Sequence, residues 1–384
     1  MVIFAAEFPP GPGGIGTHAY QVALQLQRHG WTVSVVAVQE LAEPDAIDTF
    51  NKQAPFPIRR VEQYPGAPTK LAYRLGVLAR TLTRERPSLV VATGERMVWI
   101  AAAVCPLFRV PFVAVGHAME FNAPARWQRI LNRRSFEAAT GVVSVSQYTA
   151  SRMVAAGIQP RASTVIPNGA DESRFQPVPA GESAAFLRRH GLERATVLVT
   201  VGSVHERKGQ DVVIRALPEI IARFPDVHYL LVGAPHRQES FAKLATSLGV
   251  ADRVHFLGLT EARDIVRALT AATLFLMTSQ HTPDGDFEGY GIAVVEAALC
   301  GRAAVVSDNS GVVEAIEPGE TGLVASISDP VSTAARVIEL LGDRERLARM
   351  GELARERALH GKTWAHRGAV YDRFLRGLVD AALS

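Results

Sequence analysis

Residues 286–298 of this 384-residue chain read Asp286-Phe287-Glu288-Gly289-Tyr290-Gly291-Ile292-Ala293-Val294-Val295-Glu296-Ala297-Ala298. The segment turns at its glycines and continues as an apolar helical pattern from about Ile292. Glu288 precedes the predicted helix, and Glu296 lies just over a turn inside it. We therefore expect both carboxylates to face one pocket, where the backbone N–H groups of residues 290–293 would meet an anion.

The two carboxylates suit hydroxyl groups, because each carboxylate accepts two charge-assisted hydrogen bonds from a sugar or a ribose. A second interpretation is that Glu296 is simply buried beside Val295 and Ala297. An acidic residue on such an apolar helix face is seldom left without a partner. The pattern therefore favours a ligand over a purely structural role.

The rest of the chain alternates short β-branched runs with longer helical patterns, which is typical of βαβ units around parallel sheets. The strands predicted in the first half are Val2–Ala6, Thr32–Ala37, Leu89–Ala92, Phe112–Val115, Gly141–Ser144 and Ser163–Ile166. Those predicted in the second half are Thr196–Val201, His228–Val232, Val254–Phe256, Leu274–Met277, Ala303–Val306 and Gly322–Val324. Each half has enough strands for its own doubly wound sheet, and a helix over Thr17–His29 is expected after the first strand.

The boundary between the halves is predicted at Pro167-Asn168-Gly169, where an Asn-Gly turn follows a strand. We expect one domain over residues 1–168, a second over 169–362, and a helical segment over 363–384 that packs back on the first domain. Apolar residues recur in that segment at roughly helical spacing: Trp364, Val370, Phe374 and Leu378. The predicted fold class is therefore α/β, with two Rossmann-like domains.

The composition is that of an ordinary soluble protein, with 48% hydrophobic and 21% charged residues. The formal charge of +3 is too small to indicate nucleic acid binding. It is unevenly distributed, because residues 1–175 carry 18 Lys and Arg against 12 Asp and Glu, and the remainder carries 23 against 26. The basic first half suits an anionic or membrane-embedded acceptor. Cys105 and Cys300 lie in apolar runs and predict buried thiols in a reducing compartment.

Three features bear on membranes. A strand is expected at the N-terminus in place of a secretory signal. The longest apolar run, Met97–Phe108, is too short for the ~20 residues that a bilayer span needs. The basic amphipathic helix Arg126–Arg134 is either a core helix with a solvated face or a segment that contacts a membrane surface or an anionic acceptor. We expect a cytoplasmic protein, either free or attached at the inner face of the cell membrane.

Two further loops carry candidate ligand groups. Gly13 and Gly14 lie between the first strand and the first helix, where glycines let the backbone approach a phosphate. A plain turn is the alternative, and the glycine spacing is not that of a dinucleotide fingerprint. Arg207 and Lys208 follow the first strand of the second half, at the sheet edge where open α/β sheets bind ligands. Two cations there suit a diphosphate, although a solvated loop is the ordinary explanation of such a pair.

Taken in order along the chain, these motifs resemble those of retaining family 4 glycosyltransferases with the GT-B fold, whose Glu-x7-Glu motif matches Glu288 and Glu296. The supporting motifs are Phe8-Pro9-Pro10 with Gly13-Gly14, Val165–Asp171 with Phe175, Arg207-Lys208-Gly209, and Glu320–Val324. The resemblance covers nearly the whole chain and implies two Rossmann-like domains facing a cleft. The donor would bind mostly to the second domain and the acceptor to the first.

The resemblance also implies a role for each matching residue. Glu296 would bind the ribose hydroxyls and Glu288 the hydroxyls of the donor sugar, while Lys208 and Arg207 would stabilise the diphosphate. His117 matches a first-domain histidine near the sugar, although a structural role is the alternative. The remaining donor contacts, largely through the backbone, would come from Gly13, Gly14, Gly258, Leu259, Gly289, Tyr290, Gly291, Ile292 and Ala293.

Two positions need separate comment. Family members often have Arg directly after the glycine that opens the Lys208 loop, whereas this chain has Ser203. Either Arg207 supplies that charge or one diphosphate contact is weaker. Asp284-Gly285-Asp286 is similar to the metal clamp of the other glycosyltransferase fold, but the resemblance implies a metal-independent enzyme that needs no cofactor.

We therefore expect a bacterial, retaining hexosyltransferase that uses a UDP- or GDP-linked sugar and a glycan, lipid-linked or small-molecule acceptor. Nucleic acid is not expected as a partner. One alternative is a sugar-nucleotide epimerase or a phosphorylase-type enzyme of the same architecture, and another is a non-catalytic sugar-binding module. A nicotinamide-dependent dehydrogenase is disfavoured by the missing glycine fingerprint. The base, the sugar and the acceptor stay open.

Overall fold

The computed structural model of the chain describes residues 1–11, 13–38, 43–61 and 67–383, with Pro12 of the first glycine-rich motif outside this set. The chain divides into two compact units. The first unit combines residues 1–168 with 364–384, and the second is the continuous segment 169–363.

The first unit is built on a parallel seven-stranded sheet in the order β3-β2-β1-β4-β5-β6-β7. Its strands are β1 Val2–Ala5, β2 Ser34–Val38, β3 Ile58–Val61, β4 Val90–Thr93, β5 Phe112–Gly116, β6 Gly141–Ser144 and β7 Ser163–Val165. The helices between them are α1 Gly14–Arg28, α2 Pro44–Gln53, α3 Ala67–Glu85, α4 Glu95–Val104, α5 Arg126–Ala138 and α6 Gln147–Ala155. The central strands are continuous apolar runs because helices cover both faces of a parallel sheet.

The second unit has a parallel six-stranded sheet in the order β10-β9-β8-β11-β12-β13. Its strands are β8 Thr196–Val201, β9 Val227–Val232, β10 Val254–Gly258, β11 Leu274–Met277, β12 Ala304–Ser307 and β13 Gly322–Ala325. Its helices are α7 Ala180–Arg189, α8 Gln210–Arg223, α9 Gln238–Ser247, α10 Ala262–Ala271, α11 Ile292–Leu299, α12 Pro330–Leu341 and α13 Arg344–Gly361. Each unit is thus a doubly wound α/β layer structure, and the predicted fold class is confirmed.

The last helix, α14 Trp364–Leu383, belongs to the first unit and packs against α1. Trp364, Tyr371 and Leu375 form its buried face. The hydroxyl of Tyr371 lies 2.8 Å from Nε2 of the buried His18 on α1. Of the residues used to predict this helix, Val370 is exposed, Trp364 is buried, and Phe374 and Leu378 lie against Gly141 of β6.

Several predicted bounds need correction. All the predicted strands are present with ends shifted by at most two residues, but β3 was not predicted. Its sequence, Ile58-Arg59-Arg60-Val61, is half charged because it forms an edge of the sheet, where only Val61 is buried. Helix α1 begins at Gly14, three residues before the predicted start, so Gly14 lies in the helix and not in the preceding loop.

Two further predictions concern the cysteine thiols and membrane-spanning helices. Both cysteines are buried free thiols, as predicted, and burial raises the pKa of each to about 12. Within the described ranges, none of the helices is both long enough and apolar enough to cross a membrane.

Candidate active site

The candidate site of the second unit lies where the strand order reverses. Strands β8 and β11 are neighbours although they are separated in the chain by β9 and β10. In an open α/β sheet, ligands bind outside the carboxyl ends of the strands where the strand order reverses. Lys208 follows β8 and Glu288 follows β11, so the sheet order brings the two predicted motifs together.

The loop after β8 is held against the loop after β11 by backbone contacts. Gly209 has a φ of 69°, and a Cβ there would lie 1.8 Å from the carbonyl oxygen of Thr278. The Thr278 hydroxyl donates a 2.8 Å hydrogen bond to the Gly209 carbonyl, and the Gln280 N–H donates to the Arg207 carbonyl at 3.0 Å. Glycine at position 209 is therefore required for the two loops to meet this closely.

Four charged side chains meet between these loops. Nζ of Lys208 donates a 2.7 Å hydrogen bond to Oε2 of Glu288, and Nη1 of Arg207 donates to the same oxygen. Nε of Arg207 lies 2.8 Å from Oδ2 of Asp286. All four side chains are mostly buried. The cluster balances two cations against two carboxylates, as buried charges require.

Electrostatics keep Glu288 and Arg207 ionised, whereas burial raises the pKa of Asp286 against the charge of Arg207. Burial alone would raise the pKa of Glu288, but the charges of Lys208 and Arg207 and their hydrogen bonds hold it at about 2. The charge of Glu288 raises the pKa of Arg207 against the effect of burial. Burial lowers the pKa of Lys208, and Glu288 opposes that shift. Glu288 is therefore a carboxylate throughout the physiological range and can accept hydrogen bonds.

Glu296 has a different environment. It lies in α11, which begins at Ile292 after Gly291, a residue with a φ of 85°, and has no side-chain cap on its first turn. No hydrogen bond or ion pair joins the Glu296 carboxylate to any residue in the described ranges. Burial raises its pKa to about 7, although the charges of Arg174 and Lys208 oppose the shift. A partly buried carboxylate without a protein partner is ready for donors that a ligand supplies.

The segment 289–293 links these two carboxylates. Tyr290 is buried, and Gly289–Gly291 forms the turn that leads into Ile292 and Ala293 at the start of α11. The Gly311 N–H donates a 3.1 Å hydrogen bond to the Glu288 carbonyl, which fixes the entry to the turn. The first N–H groups of α11 thus follow Glu288 by about four residues along the chain, and their role at an anion stays a prediction.

Two of the predicted donor-binding residues, Gly258 and Leu259, lie further along the same sheet edge. Gly258 ends β10 with a φ of 66°, and Leu259 is exposed just beyond it. In the strand order, β10 is separated from β8 by β9. These residues therefore share the carboxyl edge of the sheet with Lys208, but no contact joins them to the charged cluster among the described residues.

His117 belongs to the first unit, where it follows β5. Its Nε2 lies 2.7 Å from the Thr93 hydroxyl, and its ring meets that of His18 edge to face at 4.9 Å between centroids. Burial lowers the pKa of His117 to about 4, so the ring is neutral near pH 7. The buried carboxylate of Glu120 accepts hydrogen bonds from the N–H groups of His117 and Ala118 and fixes this loop.

Gly13 and Gly14 lie at the N-terminus of α1 in the first unit. Gly13 has a φ of 137°, and a Cβ there would lie 2.5 Å from Oε2 of Glu7. The Thr17 N–H donates to the Gly13 carbonyl and closes the first helical turn. The junction between β1 and α1 thus has no room for a side chain at position 13, and its contact with a diphosphate stays a prediction.

The sequence interpretation missed two charged residues of the donor-side site. Asp286 was considered only as part of a metal clamp, but in the structure it pairs with Arg207. The signal was present, since Asp286 and Glu288 flank the buried Phe287 and alternate residues of an extended segment face the same side. Arg174, whose charge lowers the pKa of Glu296, lies in the segment after the interdomain turn. Within the described ranges, no three His, Cys, Asp or Glu residues are grouped to hold a metal ion.

Comparisons with known proteins identify the family and the fold to which this chain is similar. The chain matches the family model described as Glycosyltransferase Family 4 over residues 12–174 and the model described as Glycosyl transferases group 1 over residues 184–357. Anabaena Alr3699/HepE in complex with UDP-glucose has a similar fold, with a TM-score of 0.84 and 22% identity over 98% of this chain and 100% of that chain. The two units thus form the two Rossmann-like halves of a GT-B fold.

Two curated relatives extend over most of the chain. It is 32% identical to the GDP-mannose-dependent alpha-(1-6)-phosphatidylinositol monomannoside mannosyltransferase of Mycolicibacterium smegmatis, over 99% of each chain. It is 27% identical to the D-inositol 3-phosphate glycosyltransferase of Nocardia farcinica, over 92% of this chain and 82% of that one. The chain therefore belongs to glycosyltransferase family 4, and it is a glycosyltransferase.

Proposed function

We propose that this chain is a retaining mannosyltransferase that transfers mannose from GDP-mannose to an inositol-containing glycolipid. Membership of family 4 makes a nucleotide sugar the donor, and the observation that carries the site is the Lys208–Glu288 pair together with Glu296, whose carboxylate has no hydrogen-bond partner among the described residues. The relative from Mycolicibacterium smegmatis is a GDP-mannose-dependent enzyme that acts on a phosphatidylinositol monomannoside, which supports this choice of donor and acceptor.

In the proposed complex, the donor lies along the carboxyl edge of the second sheet. Glu296 accepts hydrogen bonds from the ribose hydroxyls, and Glu288 accepts them from the hydroxyls of the sugar. Lys208 has three N–H donors, so it can keep Glu288 as a partner and still bind the diphosphate. The first-turn N–H groups of α11 add positive potential where the departing diphosphate gains charge.

The first unit contributes residues to the same reaction in this proposal. His117 is neutral near pH 7 and offers a hydrogen-bond donor to the sugar, while Gly13 and Gly14 let the backbone approach the diphosphate. No metal or cofactor takes part, because Lys208 and the helix N–H groups supply the positive charge that a metal otherwise provides. Attack from the face that the leaving diphosphate vacates retains the anomeric configuration.

A donor and product assay tests the proposed function. Purified protein is incubated with GDP-mannose, UDP-glucose or ADP-glucose and a phosphatidylinositol monomannoside acceptor, with and without EDTA. We expect an α-linked mannosyl product from GDP-mannose alone, at an unchanged rate in EDTA, with the anomer read by NMR. Isomerised nucleotide sugar without acceptor indicates an epimerase, phosphate-dependent products indicate a phosphorylase-type enzyme, and binding without turnover indicates a sugar-binding module.

We further propose that the first unit docks on the membrane that holds the acceptor, through the outward face of α5. Trp127, Ile130 and Leu131 recur at helical spacing on this face, and they are 60%, 40% and 36% exposed. The guanidinium groups of Arg126, Arg133 and Arg134 make no ion pair or hydrogen bond with described residues. The other face, with Asn132, Ser135 and Phe136, is buried. Exposed apolar residues beside unpaired arginines suit an anionic lipid surface.

Vesicle sedimentation tests this membrane contact. We expect the protein to bind vesicles of phosphatidylcholine with phosphatidylglycerol, to bind pure phosphatidylcholine weakly, and to be released by high salt. A Trp127→Ser, Leu131→Ser variant should lose most of the binding. Val331→Ser is the matched control, because Val331 is an exposed apolar residue on α12 of the other unit. Equal binding by both variants would contradict the proposal.

A further inference from the structure

Asp286 and Arg207 form a connection that the proposed donor contacts do not use. The guanidinium of Arg207 lies between two carboxylates, with Nε 2.8 Å from Asp286 and Nη1 bonded to Glu288. Both of its charged neighbours come from the loop after β11, whereas Arg207 itself comes from the loop after β8. Arg207 thus joins Lys208 in linking the two loops through charge, and it does so through two carboxylates where Lys208 pairs with one.

Asp286 is a fixed anchor for this connection. Its backbone N–H donates a 3.0 Å hydrogen bond to the Thr282 hydroxyl, and its carbonyl accepts a 2.9 Å hydrogen bond from the Thr282 N–H. Phe287 is buried on the opposite side of the segment and prevents it from turning. A carboxylate on such a fixed backbone holds the neighbouring guanidinium in place through charge, at the 2.8 Å separation of this ion pair.

Glu288 is held by one oxygen. Arg207 and Lys208 both donate to Oε2, and no hydrogen bond joins Oε1 to the described residues. Two donors on one oxygen fix the plane of the carboxylate and leave the other oxygen available as an acceptor. A group whose task is to meet sugar hydroxyls needs this fixed orientation more than it needs additional charge.

We infer that Arg207 is a positioning residue which, held by Asp286, orients Glu288 toward the donor sugar, and that it does not replace the diphosphate arginine missing at Ser203. Its Nε and Nη1 face Asp286 and Glu288, and these two carboxylates offset its charge, which weakens its attraction for a phosphate. Lys208 and backbone N–H groups then carry the diphosphate in the second unit. This inference rests on the proposed function, in which Glu288 contacts the donor sugar.

Binding and turnover measurements separate positioning from phosphate binding. Kd for GDP and for GDP-mannose is measured by calorimetry, and kcat is measured with saturating donor, for Arg207→Gln, Asp286→Asn and Lys208→Ala. We expect the first two variants to bind GDP within about twofold of wild type, because GDP has no sugar. Their affinity for GDP-mannose should fall relative to GDP, and kcat should fall about tenfold to a hundredfold. Lys208→Ala should lose GDP affinity at least about tenfold.

Two controls keep the result specific. Arg207→Lys should recover part of the lost kcat, because a point charge can reach one carboxylate but cannot bridge both. Asp372→Asn is the matched control for Asp286→Asn, since Asp372 is ion-paired with Arg376 at 2.8 Å and is 19% exposed against 18% for Asp286. It lies on α14 in the other unit and should leave every parameter unchanged.

The possible outcomes distinguish this inference from the proposed function. A loss of GDP affinity in Arg207→Gln as large as in Lys208→Ala would make Arg207 a diphosphate ligand and overturn the inference. An unchanged kcat in both Arg207→Gln and Asp286→Asn would overturn it as well. If wild-type protein neither binds GDP nor transfers mannose, the proposed function fails first. Melting curves for each variant show whether a loss comes from unfolding.

Discussion

Glu296 is the residue of the site whose charge depends most on pH near neutrality. Burial raises its pKa to about 7 from the ordinary value of 4.5. An ionised carboxylate accepts hydrogen bonds from two hydroxyls, whereas the protonated acid turns one of its oxygens into a donor. Ribose binding in the proposed complex therefore needs the ionised form, which is the minority form below pH 7.

We expect the affinity for GDP-mannose to fall up to about tenfold as the pH is lowered from about 8 to about 6. The sugar-linked diphosphate has no phosphate group that titrates in this range. Glu296→Gln should bind more weakly, and its affinity should not vary with pH. Calorimetry at several pH values checks this, and an equal pH dependence in wild type and Glu296→Gln would assign the titration to another group.

The raised pKa of Glu296 also makes the stability of the folded protein decrease as the pH rises. The folded protein holds the Glu296 proton more tightly than the unfolded chain, so this residue favours the folded state at low pH. That contribution is lost as the pH rises from about 4.5 through about 7. Glu296→Gln removes it, so the free energy of unfolding of this variant should decrease less over that range, as measured by urea denaturation.

Lys208 is the cation expected to meet the charge that develops on the leaving diphosphate. Lys208→Ala should lower kcat by about a hundredfold or more while the protein stays folded. Lys243→Ala is the matched control, because Lys243 makes only an exposed ion pair with Glu239 on α9. Initial rates and melting temperatures check both variants, and near-normal turnover in Lys208→Ala would reject the diphosphate assignment.

At the scale of single residues, the positions of the charged side chains follow from the sequence only in part. The Arg207-Lys208 pair was predicted after the first strand of the second half, and it follows β8. Glu288 and Glu296 were predicted before and inside one helix, and α11 begins between them. The link from Asp286 to Arg207 does not follow from spacing, since the two residues are far apart in the chain. It depends on β8 and β11 being neighbours, and that order is set by tertiary packing.

At the scale of elements, the junction between the loops after β8 and β11 depends on Gly209. Gly249, in the turn after α9, has the same φ of 69°, but a Cβ there would meet nothing within 4 Å. The two positions therefore share the cost of a left-handed alanine, about 1–2 kcal/mol. They differ because a Cβ at position 209 would also collide with the Thr278 carbonyl.

We expect Gly209→Ala to lower the free energy of unfolding by at least about 2 kcal/mol more than Gly249→Ala, because the collision also breaks the hydrogen bond from Thr278. Activity should fall in Gly209→Ala and stay normal in Gly249→Ala. Urea denaturation and initial rates measure the two effects. Equal destabilisation by the two substitutions would mean that the loop relaxes without cost.

The buried strands could be predicted from the sequence, whereas the edge strand β3 could not. The buried strands of both sheets are apolar runs bounded by turn residues, and this pattern is local. Strand β3 carries Arg59 and Arg60, and its pairing with β2 is set by its place at the sheet edge. Arg60 donates hydrogen bonds to Asn51 and to the Pro9 carbonyl, which are contacts that no local pattern reveals.

At the scale of the whole molecule, the two units differ in how the chain builds them. The second unit is one continuous segment, whereas the first needs α14 from the far end of the chain. Trp364, Tyr371 and Leu375 are almost fully buried in the first unit. Removal of one large buried side chain costs about 3–5 kcal/mol, and a domain has only about 5–15 kcal/mol in total.

A chain that stops after Thr363 should therefore lose cooperative folding of the first unit and keep that of the second. Limited proteolysis with mass spectrometry should show rapid cleavage within residues 1–168 and protection within 169–363. Tyr371→Phe is the mild control, because it removes only the hydrogen bond with His18 and should cost about 1 kcal/mol. Equal protection of residues 1–168 with and without α14 would contradict this dependence.

The first unit is made of two separate segments of the chain, and this determines the order in which the two units can fold during synthesis. A ribosome adds about 5–20 residues per second, and domains usually fold in the order in which they emerge. Here the second unit has all its residues by Thr363, while the sheet that began with β1 still waits for the helix that starts at Trp364. The half of the enzyme that is translated first is therefore completed last, and its unfinished surface is exposed to chaperones and proteases for most of the time that translation takes.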